Sequence, residues 1–147
     1  MLLFKLIHVL SMFGVVTMWV GAWVIWDLVA RTGDRVALRR VDKVSQVTGQ
    51  AGFLLLIVGV IAGFATALTG GLNLAAGWLL IAYALLLSDL LTLRLFEIHV
   101  GRVRDASKDE TADLQRVASS RLANATLVAV IGFWAFLIAD MVVKPFS

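Results

Sequence analysis

Hydrophobic positions along the chain gather into four long runs, at about 2–30, 48–69, 74–98 and 122–143, with polar stretches between them. The first run reads LLFKLIHVLSMFGVVTMWVGAWVIWDLVA, and Lys5, His8 and Asp27 are its only ionisable side chains. At about 1.5 Å per residue such a helix is roughly 40 Å long, more than a hydrocarbon core of about 30 Å requires. The pattern predicts an all-α polytopic membrane protein, a single domain over 1–147. Four spans with short or helical connections are expected to form an antiparallel up-down bundle.

The faces of these helices differ. In the first span His8, Met12, Val15, Trp19, Trp23 and Trp26 follow helical spacing along one stripe, while Gly14, Thr17 and Gly21 fall on the opposite side. The second span carries Gly52, Gly59 and Gly63 on a single face. Helix association in lipid is driven by close packing, which small residues permit, so both glycine faces are predicted to be helix-packing surfaces. Gly70 and Gly71 close the short turn into the third span. Ala37, Val41, Val44 and Thr48 repeat with helical period and predict a short amphipathic helix at the inner surface, leading into the second span. In the later connector Ser107 and Glu110 fit a capping box, which predicts one long helix from about 108 to 143, stopped by Pro145.

Only 16% of the residues are charged. A soluble domain has about 25%, so the deficit points to lipid as the solvent. The formal net charge of +3 does not signal nucleic acid, because most of the Lys and Arg falls in two connectors. Arg31, Arg35, Arg39, Arg40 and Lys43 occupy the first; Arg102, Arg104, Lys108, Arg116 and Arg121 belong to the second. By the positive-inside rule both basic loops are cytoplasmic and both termini lie outside a cell (inner) membrane, with anionic lipid as the partner of these cations. The first run is too long for a signal-peptide core and reads as uncleaved. The chain has no cysteine, which excludes disulfides, iron–sulfur clusters and thiol catalysis.

Few side chains remain for chemistry. Asp89 lies within the third span. A carboxylate at that depth costs about 2.5–3.5 kcal/mol unless it meets a partner, so it is predicted to point into the bundle. Arg94 and Glu97 can pair at i,i+3, and Asp27 ends the first span at a similar level, which predicts an Asp–Arg clamp between spans one and three. The two histidines, His8 and His99, are separated by about 20 residues of helical rise, roughly 30 Å, which rules out a bis-histidine haem. His99, beside Gly101 and Arg102, is expected to be solvated. At the depth of His8 the fourth span brings Asp140 and Met141, so His8 with Met141 could ligate a b-type haem, or His8 could bond Asp140, with Met12 one turn below. Trp19 and Trp23 lie too deep for an interfacial belt and suit a macrocycle or a neighbouring subunit. No Ser-His-Asp set, carboxylate pair or phosphate loop can be assembled, so the chain reads as non-enzymatic.

Lys5, Leu6, Ile7 and His8, followed by Trp19, Val20 and Gly21, resemble the start of small bacterial four-span proteins of the copper-resistance D and membrane-type protoporphyrinogen oxidase (HemJ-like) group, and of a related uncharacterised integral-membrane family. The resemblance implies a four-span fold and, from the oxidase-like members, haem ligation at His8. It covers mainly residues 5–21. After Gly21 the chain reads AWVIWDLVAR, without the arginine and tyrosine of those members, and the outer half of its third span lacks their lysine. Without Cys or a Met-rich cluster, copper export has no residues to rest on either.

The leading reading is a non-catalytic accessory subunit of a larger membrane assembly, with electron transfer one process it could serve. It would dock through its Gly and Trp faces onto other subunits or a second copy. The alternatives are a haem- or metal-binding redox protein with His8 as ligand, and a proton-coupled carrier built on Asp89 around a water-filled inner cavity.

Overall fold

In lipid a backbone amide finds no water, so long apolar runs must satisfy their own hydrogen bonds as helices. The only proline, Pro145, lies beyond these runs. The computed structural model describes the backbone of residues 2–143 and the side chains of residues 2–139, and all regular structure among them is helical. Helix α1 (Leu2–Val16) passes through a π turn, Thr17–Gly21, into α2 (Ala22–Thr32); α3 (Arg35–Thr69), α4 (Gly77–Lys108), the short α5 (Leu114–Ala118) and α6 (Arg121–Val143) follow. Leu2–Thr32, Arg35–Thr69, Gly77–Lys108 and Arg121–Ala139 are long and apolar enough to cross a membrane.

The main helix pair is α1 with α3. His8 packs on Gly63, Met12 and Ser11 on Gly59, Gly14 on Leu55, and Trp19 on Gly52. Farther along, the Trp26 indole donates to Asp42 at 3.0 Å. Gly14 thus shares the α3 interface with the His8 stripe, while Thr17 is exposed and Gly21 has nothing near it. The predicted second packing face of the first span is not used inside the chain. The π turn accounts for part of this: its extra residue advances the helix face, and Trp19 sits within it. Helix α6 packs along α4, and two apolar clusters fill the interior. One surrounds Val15, Trp19 and Trp134; the other surrounds Trp26, Phe96 and Val103.

Both basic connectors lie at one end and hold each other. Gly33 takes φ +77°, a left-handed conformation that ends α2, and the Asp34 side chain accepts from the amides of Val36 and Ala37 at 2.9 Å to start α3. Helix α3 then runs unbroken through its apolar part. Its packed stripe is offset from the expected one: Leu38 is buried and Val44 exposed, because Leu38 and Val41 face Phe96, Val103 and Leu114 rather than a membrane surface. Arg35 reaches across to the carbonyls of Ala106 (3.0 Å), Ser107 (3.3 Å), Asp109 (2.5 Å) and Ala112 (2.7 Å), tying off the end of α4.

The continuous helix expected from 108 to 143 does not form. Helix α4 already contains Ser107, whose hydroxyl bonds the Arg104 carbonyl, and it stops at Lys108. Asp109 then folds a local turn by accepting from the amide and hydroxyl of Thr111, and Asp113 caps the separate α5 through the Arg116 amide. Aspartates that can bond nearby amides compete with helix continuation here, and Arg35 stabilises the break. Pro145 lies outside the described residues.

Candidate functional site

At the end carrying the Gly70–Gly71 turn, α1, α3, α4 and α6 leave a cavity of about 380 Å³. Its walls include His8, Met12, Phe64, Trp78, Tyr83 and Trp134, and its lining is overwhelmingly apolar. Phe64 and Tyr83 stack across the α3–α4 gap with centroids 6.0 Å apart. Lys5 stands at the mouth, exposed.

His8 is the polar feature of this wall. Its Nδ1 lies 2.7 Å from the Gly59 carbonyl oxygen, a bond in which the ring N–H donates. Donation from Nδ1 fixes the tautomer and leaves Nε2 with its lone pair. Gly63 makes room for the ring, since a Cβ there would stand 2.9 Å from Nδ1. The i,i+4 repeat of Gly59 and Gly63, read above as packing alone, therefore also positions an imidazole.

The other expected ligand residues divide. Met12 borders the cavity. The side chains of Asp140 and Met141 lie outside those described. Trp19 and Trp23 do not reach the site: the Trp19 indole donates to the Gly49 carbonyl at 2.9 Å, its ring stacks on Trp23 at 5.8 Å, and Trp23 leans on Phe96. Both are spent on packing within the chain. Among the described residues no three His, Asp or Glu side chains converge on a metal, and nothing stands opposite His8 as a second axial donor. For the haem suggested by the resemblance the described residues supply one nitrogen and its carbonyl support, the expected second ligand Met141 lying outside them.

Asp89 points inward, as expected, and is fully buried. Its carboxylate faces the buried Trp134 indole N–H, and among the described residues neither group makes a well-formed hydrogen bond. Ala82 and Leu86, seven and three positions earlier on the same helix face, line the cavity. The carboxylate consequently sits about one turn beyond the cavity floor, behind Trp134.

The clamp between spans one and three is absent. Arg94 bonds Glu97 at 2.8 Å on the exposed surface, because five positions place Arg94 about 140° around the helix from Asp89. Asp27 instead accepts from Arg31 of its own helix at 2.7 Å, and Arg31 also bonds Asn124 of α6. The polar tie joins spans one and four. His99 is buried beside Phe96, near Asp27 and Arg31, with Nε2 unpaired, rather than solvated. Helix α4 continues nine residues past it under cover of the basic connectors.

Sequence reasoning missed Asp42, whose carboxylate accepts from Trp26, Arg104 and Gln46. Its signal was being an acid amid the first connector's cations. It also missed the cavity aromatics, whose common feature is a position near the uncharged turn.

Comparison with family models, with curated proteins and with solved structures finds no match.

Proposed function

We propose that this protein is a small multi-pass membrane protein that holds a lipid-soluble small molecule in the cavity beside the uncharged turn, with His8 as its polar anchor. The observation that carries this reading is the His8 ring, fixed through Nδ1 by Gly59 so that Nε2 is available at an otherwise apolar wall. Pockets of this kind, mostly apolar with a few placed polar groups, are the usual form of small-molecule sites.

The reading includes an antiparallel up-down bundle in a cell membrane, with both basic connectors cytoplasmic and the cavity opening toward the opposite leaflet. Opposed numbering along α1 and α3 supports the antiparallel order, and the mutual docking of the connectors supports their common side. The amphipathic part of α3 becomes a docking surface for the second connector. The accessory-subunit reading stands as the second reading: Trp19, Trp23, Gly52, Gly59 and Gly63 are occupied within the chain, while Thr17 and Gly21 leave a face open to a partner helix.

The test is organic-solvent extraction of the purified protein followed by mass spectrometry. A non-phospholipid molecule enriched with the wild type, reduced in His8→Ala and absent from Ala82→Phe, which fills the cavity, is the expected result. Equal recovery from wild type and Ala82→Phe overturns it.

A further inference from the structure

Asp89 is fully buried, and the polar group facing its carboxylate is the Trp134 indole N–H; among the described residues neither makes a well-formed hydrogen bond. Among the described residues, no cationic side chain reaches Asp89. Arg94 turns outward to Glu97, Arg31 is engaged by Asp27 and Asn124, and Lys5 stands at the cavity mouth. A carboxylate in lipid calls for a partner, and intramembrane acids characteristically mark the path of a substrate or ion.

Trp134 belongs to both places. It lines the cavity, and its indole N–H is directed at Asp89. Phe64, Tyr83 and Trp78 stand along the same space. Aromatic faces carry negative charge density and attract cations, more strongly where water is excluded. An aromatic passage ending at an unpaired carboxylate is complementary to positive charge on an apolar body.

We propose that the cavity and Asp89 together bind a lipophilic organic cation, an amine or onium group whose charge meets Asp89 once Trp134 swings aside and whose apolar body lies among Phe64, Trp78 and Tyr83. This inference rests on the reading of the cavity as a ligand site and names the ligand's class. His8, at the other end of the space, anchors the body of the ligand through Nε2, while Asp89 meets its charge.

The experiment uses the full chain in nanodiscs of zwitterionic lipid and measures equilibrium binding of tetraphenylphosphonium, with tetraphenylborate as an anion of the same shape. Protein-free nanodiscs are subtracted. Saturable binding of the cation and none of the anion is expected, with affinity at least tenfold weaker in Asp89→Asn and within a few-fold of wild type in Asp89→Glu. Size-exclusion profiles establish that each variant remains folded, and Asp89→Glu retains the charge should Asp89→Asn aggregate. Absence of saturable cation binding, equal binding of both ions, or undiminished binding in Asp89→Asn overturns the cation inference. Loss of binding in Ala82→Phe but not in Asp89→Asn overturns it while leaving the cavity reading intact. Binding that survives Ala82→Phe overturns the cavity as its location.

Discussion

Replacing Gly52 by alanine tests the packing that sets α1 on α3. A methyl group at Gly52 would occupy the space of the Trp19 indole, striking Cδ1 and Nε1. The ring has little freedom to yield: its N–H is bonded to the Gly49 carbonyl, one face is stacked on Trp23, and Val15 and Leu56 belong to the same cluster. Overpacking a filled interior costs about 1–3 kcal/mol. Losing the indole hydrogen bond adds roughly 0.6 kcal/mol, at most about 1.7, by the measure of interhelical bonds in bilayers. Alanine's better helix propensity returns about 0.8–1 kcal/mol. The net expectation is a destabilisation of about 1–3 kcal/mol. Gly21→Ala is the control, since a methyl there meets nothing within 4 Å, and it should be neutral or stabilising by up to about 1 kcal/mol. Reversible unfolding by dodecyl sulfate in mixed micelles, followed by circular dichroism, measures both. The partner substitution Trp19→Leu should restore much of the loss in the double variant, as coupling between residues in contact. Equal midpoints for Gly52→Ala and Gly21→Ala, or strictly additive effects in the double variant, would show that this contact does not set the helix pair.

Four further outcomes concern the polar residues and the topology. Asp42→Asn breaks the 2.8 Å pair with Arg104 and weakens the Trp26 bond; as Arg104 is 40% exposed, a loss of about 1–2 kcal/mol is expected in the same unfolding assay, and less than about 0.5 kcal/mol would contradict the assignment. Arg35→Lys should behave almost like Arg35→Ala, because an ammonium cannot replace a fork that serves four carbonyls; hydrogen exchange should quicken across 106–118 in both, and a silent Arg35→Lys would refute the capping role. Arg94→Ala removes an exposed pair and should change stability by less than about 0.5 kcal/mol, a larger loss showing that Arg94 has an internal partner. Because the chain lacks cysteine, Lys43→Cys, Glu110→Cys and Ala75→Cys can each be introduced alone; impermeant maleimide on intact cells should label only the last, and labelling Lys43→Cys from outside would reverse the topology.

The limits of sequence reading here are angular. The number of spans was legible because lipid imposes uninterrupted apolar runs, and the inward direction of Asp89 was legible because a carboxylate is costly against hydrocarbon. Depth alone suggested pairing Asp89, Asp27 and Arg94, yet a helix separates residues at one level by rotation as effectively as by rise. Arg94 turns away, and Asp27 is answered by Arg31 one turn along its own helix. The tryptophan stripe divides for a related reason: Trp19 within the π turn at Thr17–Gly21 and Trp23 beyond it belong to the α1–α3 and α4 interfaces, whereas His8, two turns before it, remains at the cavity. Such a turn is set by tertiary packing and has no marker in residue spacing. Breaks in the connectors were hidden differently. Ser107 and Glu110 satisfy a capping pattern, but Arg35, more than seventy positions away, holds the carbonyls that decide where α4 ends. The residues left over by this angular sorting do not meet one another: His8 turns Nε2 to the cavity, and Asp89 lies buried behind Trp134 with no cation beside it among the described residues. The ligand proposed above would enter between them, with His8 at its body and Asp89 at its charge.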